Sequence, residues 1–508
     1  MRPSDIRFLA PTARFGSSVL FIASVAAIMG SISLQAKTAT SVAVDSQQPS
    51  ERMMIGLDAI CAGEIPGVPM SLCFAPGTSA DEVNQVTQQL TRQWAKDLAA
   101  RPIVGEGDGG AAYYVGNRWL LGGSSAQGQP LSLTWSMPAD GLAIPDGLSG
   151  GATSPNNLNA TFVTKFGTLE AGKNLVRQVF ARWSAVSGVS YTEVSDDGAA
   201  FGLPGGPTRG DIRIVGRPFS SNGVLAYNYF PNDGDMVIVT SNSNAWSAAN
   251  NNRYFRNVIA HEHGHGLGIE HVCPTNNTKL MEPFISTAFD GPQNDDFRAA
   301  QRQYGDNYEP NDTIASAASG VNASGTTLIK DLSIDDNSDT DYFKFSATAG
   351  TTLTVTVTPQ GPSTYLSGPQ NQNGSCSAGT AVLPLAVHNL GVRIYNGTNT
   401  NPIFTQDAVA AGGSESISDL LLPTTGVYEI RVSTSSATDD IQLYAMVTNI
   451  VPAVAIVGDV DGNGIVNGAD LGILLAVWGP VTCGSVYDLT GDCMVDGFDL
   501  ATLLSNWG

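Results

Sequence analysis

Between residues 261 and 271 the chain reads His261-Glu262-His263-Gly264-His265-Gly266-Leu267-Gly268-Ile269-Glu270-His271. Positions four apart on a helix lie about 40° apart around its axis, so His261 and His265 can reach one metal ion. Gly268 permits a positive φ that ends such a helix sharply, and the returning chain can then supply His271. Three imidazoles with a fourth position left open are the donor set of a catalytic zinc site. Glu262 lies about 100° from His261, where it can serve a water at the open position as general base without being a ligand. His263 falls about 200° from His261 and reads as structural. The chain holds five His, and three of them complete the pattern H-E-x-x-H-x-x-G-x-x-H. His388, far from the motif, reads as structural.

These side chains need a helix beneath them. The sequence predicts one over Arg253–Gly266, capped by Asn250, Asn251 or Asn252. Leu175–Trp183 reads as an amphipathic helix, and Asp295–Tyr304 as a short helix closed by Gly305. Leu131–Trp135 and Asp211–Val215 alternate as strands, and Met236–Val239 reads as a buried strand. From about 306 to 450 the pattern becomes almost purely β. Leu353, Val355 and Val357 share one face of Thr352–Thr358. Tyr342–Phe345, Val392–Ile394 and Tyr428–Val432 alternate similarly, which predicts a β-sandwich. Upstream, Ala80–Ala100 carries Val83, Val86, Leu90, Trp94 and Leu98 at helical spacing, before a glycine-rich loop at Gly105–Gly110. At the far end, Asp459–Gly479 recurs as Asp488–Gly508.

The 508 residues suit several domains, and 42% hydrophobic content can build their cores. Lys and Arg number 25 against 46 Asp and Glu, a net charge of −21. That balance argues against nucleic-acid binding. Arg2, Arg7 and Arg14 precede an apolar stretch from Phe15 to about Leu34, and Leu34-Gln35-Ala36 offers a cleavage point. This reads as an export signal; no later stretch is apolar enough to span a membrane. Export permits disulfides. Cys61/Cys73 and Cys483/Cys493 are close pairs and the candidate bridges.

The zinc motif resembles that of the metzincin clan of zinc endopeptidases, and within it the matrixins. Leu280-Met281-Glu282-Pro283 resembles the matrixin Met-turn, which implies that Met281 floors the metal ligands. Gln178–Trp183, Gly223–Ala226 followed by Pro231, and Asp295-Asp296 with Tyr304-Gly305 resemble further matrixin segments. The resemblance implies an α+β zincin fold over 111–305 and one catalytic zinc. It also implies an edge strand at Val224, Leu225 and Ala226 that pairs with an extended substrate, and a specificity wall at Pro283 and Phe284. The sequence departs from the family in having Tyr227 where a structural-zinc His is expected. It also lacks the Pro-Arg-Cys-Gly latency motif. A Cys61 or Cys73 thiolate capping the metal is the alternative to their mutual bridge. Cys273 has Cys376 or an N-terminal cysteine as its candidate partner.

Glu309-Pro310-Asn311-Asp312, Asp339–Phe345 and Ala349–Leu353 resemble the bacterial pre-peptidase C-terminal domain. The C-terminal repeat resembles dockerin calcium loops. Asp459, Asp461, Asn463, Ile465, Asn467 and Asp470 occupy the ligand positions of the first loop, Ile465 through its carbonyl. Asp488, Thr490, Asp492, Met494, Asp496 and Asp499 occupy those of a weaker second loop, in which Cys493 replaces the turn glycine. Hard oxygen donors at this spacing suit calcium. A cohesin-like partner, surface attachment and calcium-stabilised capping are all compatible with it.

The expected organisation is therefore a signal peptide (1–36), a propeptide or N-terminal subdomain (37–110), a catalytic domain (111–305), a β-sandwich (306–450) and a small helical calcium module (451–508). The expected activity is secreted, zinc-dependent hydrolysis of peptide bonds in protein substrates. The alternative is a calcium-dependent adhesion or scaffold protein with a vestigial zinc domain.

Overall fold

The structure is a computed structural model. It describes residues 112–120, 127–145, 153–219, 223–283, 285–371, 375–453 and 456–508, together with the backbone of 60–62 and 70–74. The signal stretch, the 80–100 segment, the 105–110 loop and Phe284 lie outside these residues, as do the side chains of Cys61 and Cys73.

The first layer is a twisted sheet. Its strands are β1 (Ile60–Ala62), β2 (Met70–Phe74), β3 (Leu131–Ser136), β4 (Val189–Glu193), β5 (Ile212–Arg217), β6 (Val224–Tyr229) and β7 (Met236–Val239). They stand in the order β1-β2-β6-β7-β5-β3-β4. β4, β3, β5 and β7 run parallel, and β6 runs antiparallel to β7. Parallel strands need both faces covered, and β5 and β7 are buried along their whole length.

Helices α1 (Leu158–Phe166), α2 (Leu169–Ser184) and α3 (Ala249–Gly266) belong to this part of the chain. The Thr168 hydroxyl caps α2 by accepting from the Ala171 amide, and Leu175, Val176, Val179, Phe180 and Trp183 form its buried stripe. The Trp183 indole donates to the Ala260 carbonyl and so ties α2 to α3. At the start of α3, Asn250, Asn251 and Asn252 take left-handed φ values of 52°, 56° and 58°, so the right-handed run begins after them. Asparagine tolerates that region better than most residues.

A buried ion pair braces this unit. Arg213 donates to both carboxylate oxygens of Asp196 at 2.8 and 3.0 Å, and to the carbonyls of Ala199 and Ala200. Burial alone would raise the Asp196 carboxyl, but Arg213, the Ser136 hydroxyl and the Gly198 amide outweigh it and hold it below its ordinary value. Arg213→Ala is expected to cost about 3–5 kcal/mol in urea denaturation, because Asp196 stays buried without its partner. In the intact protein the stabilisation is present above the unfolded carboxyl's pKa and is lost as pH falls through the depressed folded value. Acid titration of the unfolding midpoint should therefore be shallower in the variant.

Beyond helix α4 (Asn294–Tyr304) the chain forms two facing sheets. Phe343, Val392, Ile394, Ile430 and Val432 from one sheet share a core with Leu353, Val355, Val357, Tyr444 and Met446 from the other. The change of fold type near residue 305 is not a gap in the packing. Helix α4 is buried almost throughout, although five of its residues are Arg or Gln or Asn. Arg298 donates to the carbonyls of Gln360, Pro384 and Ile441, and Arg302 to the Asp335 carbonyl and the Asp439 carboxylate. Ile441 and Leu443 of the sandwich join the core of the first layer. His388 is buried at this junction and bonds the Asp440 carbonyl.

The last segment holds helices α5 (Gly468–Ala476) and α6 (Gly497–Ser505) around Val466, Leu474, Val495 and Leu503. Cys483 and Cys493 form a disulfide there.

Candidate metal centre

Helix α3 brings His261 and His265 to one point, and the turn after Gly268 brings His271 back to it. Gly268 has φ 86°, and a Cβ there would stand 2.0 Å from the Asn117 carbonyl oxygen, so only glycine fits. The Nε2 atoms of His261, His265 and His271 lie 3.1 Å from one another. Nitrogens around a tetrahedral zinc at about 2.0–2.1 Å should stand about 3.3 Å apart, so the donor set fits that ion. The opposite ring nitrogens are all engaged. His261 Nδ1 donates to the Leu280 carbonyl at 2.7 Å, His265 Nδ1 to the Ile269 carbonyl at 2.8 Å, and His271 Nδ1 to the Gln370 Oε1 at 2.7 Å. These bonds place each proton on Nδ1 and leave Nε2 bare. Burial pulls His261 down to about 4 and, with the nearby His261 ring, His271 to about 3, so both are neutral at physiological pH.

Glu262 is wholly buried, and neither carboxylate oxygen has a hydrogen-bond partner within the described residues. Burial pushes its carboxyl well up from the ordinary range. His263 points away from the trio, stacks edge-on against Phe180 and bonds the Tyr191 hydroxyl at 2.6 Å.

Met281 lies under the helix. A Cβ on Gly264 would meet its Sδ at 2.4 Å, so the helix approaches Met281 only because residue 264 is glycine. The Asp296 carboxylate holds the turn by accepting from the amides of Leu280 and Met281, while the Leu280 carbonyl holds His261. Glu282 is buried and accepts from the amides of Asn276, Asn277, Thr278 and Lys279, which knots the loop before the turn. Sequence reasoning missed Gly264, Asp296, Glu282 and Gln370 as parts of the site. Gly264 left a local signal, a glycine within the metal-binding helical repeat, and Glu282 and Asp296 lie in segments that resemble the matrixins.

Val224, Leu225 and Ala226 do not present a free edge. β2 pairs antiparallel with β6, with Leu72 opposite Tyr227, Cys73 opposite Ala226 and Phe74 opposite Val224. Backbone donors and acceptors at a sheet edge are taken up by whatever strand can reach them, here residues 70–74. β1 continues the sheet and sets Cys61 opposite Cys73. Tyr227, in the place of the expected His, is buried against Tyr229. Pro283 is buried behind Met281 in the chain. Cys273 is bonded to Cys376.

Two acidic groups among the described residues could also hold cations. Oxygens of Asp459, Asp461 and Asp470 lie within 4.8 Å of one another, as do those of Glu309, Asp312 and Asp339. In the first loop Asp459 accepts from the amides of Asn463 and Gly464, and Asp470 from those of Val460, Asp461 and Asn467. Ile465 is exposed, and Asn467 caps α5. In the second loop Asp488 accepts from Gly491, Asp492 and Cys493, Asp492 from Met494, and Asp499 from Thr490 and Asp496. Cys493 takes a left-handed φ of 70°, as Gly464 does at 88°.

Residues 157–305 match the family model of the matrixins, and residues 339–434 that of the bacterial pre-peptidase C-terminal domain. The chain therefore carries a matrixin domain followed by a β-rich pre-peptidase C-terminal domain. It is 32% identical to the hatching enzyme of Paracentrotus lividus over 146 residues, which is 27% of this chain and 23% of that protein. It is 31% identical to karilysin of Tannerella forsythia over 147 residues, 26% of this chain and 28% of that protein. The chain thus spans about a quarter of the length of the curated relatives it matches.

Proposed function

We propose that the protein is a zinc-dependent endopeptidase that hydrolyses peptide bonds in protein substrates. The observation that carries this reading is a buried, unpartnered Glu262 beside three imidazoles whose bare nitrogens converge at zinc spacing. Zinc, when bound, supplies a Lewis acid and lowers the pKa of water. His261, His265 and His271 hold the ion. Glu262 takes the proton of the attacking water at a carboxylate oxygen and delivers it to the leaving amine. Met281, under the helix, keeps the ligand-bearing backbone at fixed depth.

The edge of β6, with Pro283 and Phe284, binds the extended substrate by strand addition once residues 70–74 are released. The region 37–110 thereby acts as a propeptide. The signal peptide, the disulfides and the two domain types favour action outside the cell. The C-terminal repeat is a dockerin-like module. Calcium binds at Asp459, Asp461, Asn463, Ile465, Asn467 and Asp470, and more weakly at Asp488, Thr490, Asp492, Met494, Asp496 and Asp499. A cohesin-like or cell-surface ligand is its partner class.

The test is hydrolysis of a quenched peptide library by the full chain, before and after limited proteolysis between Phe74 and Ala112. Activity should rise after the cut and vanish with a zinc chelator. Zinc bound with no cleavage in either state would turn the reading to an adhesion or scaffold protein.

A further inference from the structure

The three ligands are not oriented alike. His261 and His265 donate to main-chain carbonyls of the loops around them, Leu280 and Ile269. His271 donates to a side chain, the Gln370 amide, 99 residues away. Gln370 lies within the segment that matches the pre-peptidase C-terminal domain. We propose that this second domain is a working part of the metal centre, with Gln370 as the positioning residue that sets the tautomer and orientation of His271. The inference rests on the zinc reading above.

The geometry around Gln370 supports it. Strand β8 (Val272–Cys273), which directly follows the ligand, pairs antiparallel with β9 (Tyr365–Pro369), with Val272 opposite Pro369 and Cys273 opposite Gly368. The Cys273–Cys376 disulfide closes the same segment from the other side, and Gln370 and Cys376 form a bridge of backbone pairing. Glycine allows the close approach: a Cβ on Gly379 would stand 2.8 Å from Pro274 Cδ. The ligand's own strand is thus held in register with the strand that ends beside Gln370.

The chemistry needs an acceptor at this place. A metal ligand through Nε2 must carry its proton on Nδ1, and a buried N–H needs a partner. His271 is 2% exposed, so water is a poor substitute. An acceptor facing Nδ1 raises the basicity of Nε2 and fixes the ring, and loss of such a partner typically weakens metal binding about 10–100-fold.

The experiment measures zinc affinity of the full chain by competition with a chromophoric chelator, for the unaltered protein, Gln370→Met and Gln370→Glu. Met keeps the bulk and removes the acceptor; Glu keeps an acceptor. Gln370→Met should weaken zinc binding about 10–100-fold, while Gln370→Glu stays at or above the unaltered affinity. Equal affinity in Gln370→Met would overturn the proposal. So would equal weakening in both variants, since bulk rather than hydrogen bonding would then be at stake. A second measurement needs no variant. Nitrogen-15 NMR of the zinc-free full chain should show His271 protonated at Nδ1, and a dominant Nε2–H form would overturn the assignment. Failure of the unaltered chain to bind zinc would refute the zinc reading itself, a separate outcome from insensitivity to residue 370.

Discussion

Glu262→Gln is expected to lower peptide hydrolysis by about 10²–10⁴-fold while leaving zinc content unchanged. The two side chains are nearly isosteric, so the helix and its histidines keep their places. What disappears is the carboxylate proposed to take a proton from water beside the trio. The carboxylate is wholly buried and has no hydrogen-bond partner in the described structure, so it is held ready at a cost in desolvation. Replacing that buried, unpartnered carboxyl should also leave the zinc-free chain about as stable as before, with an equal or higher melting temperature. A variant that loses zinc would contradict the division between ligands and base. A variant that keeps full activity would place the proton acceptor elsewhere.

Cutting the chain after residue 305 is expected to abolish cooperative folding of the catalytic part. The matched family segment ends there, which makes the cut inviting. Yet Arg298, 1% exposed, would lose three carbonyl partners, all from beyond residue 359. Hydrogen bonds of charged groups are worth about 1.5–3 kcal/mol each, and the cut would also uncover the core that Ile441 and Leu443 complete. The Cys273–Cys376 bridge would go as well, and with it the cross-link that fastens the strand after His271. Three such hydrogen bonds alone approach the whole stability of a typical domain, about 5–15 kcal/mol. Circular dichroism melts of fragment 111–305 and of chain 111–450 make the comparison. A sharp transition in the fragment at the temperature of the longer chain would refute the expectation.

The metal ligands were legible because their signal is local. Helical spacing of His261 and His265, and a glycine where the chain must reverse, need no knowledge of the rest of the molecule. β7 was legible for a similar reason: four consecutive apolar residues fit a strand covered on both faces. Helix α4 was legible as a helix but not in its role. Nothing near Arg298 and Arg302 in sequence announces their burial, because their partners are carbonyls and a carboxylate from beyond residue 305. The pairing of β2 with β6 was hidden because backbone hydrogen bonding is blind to side-chain type. Gln370 carried no signal, since nothing near it in sequence has a metal-binding pattern. Cys273 had several partners open to it, and only the meeting of β8 with β9 selects one.

The distance along the chain between His271 and its acceptor has a consequence in time. A ribosome makes the chain from its N-terminus, so all three histidines emerge before the side chain that completes their outer support. Cys376 follows Cys273 by 103 residues. At about 5–20 residues per second, that stretch takes roughly 5–20 s to synthesise. During this interval the nascent polypeptide carries its ligand set without the amide that orients the third ring. Assembly of the finished centre is thus scheduled by the clock of translation, late in the life of the growing chain.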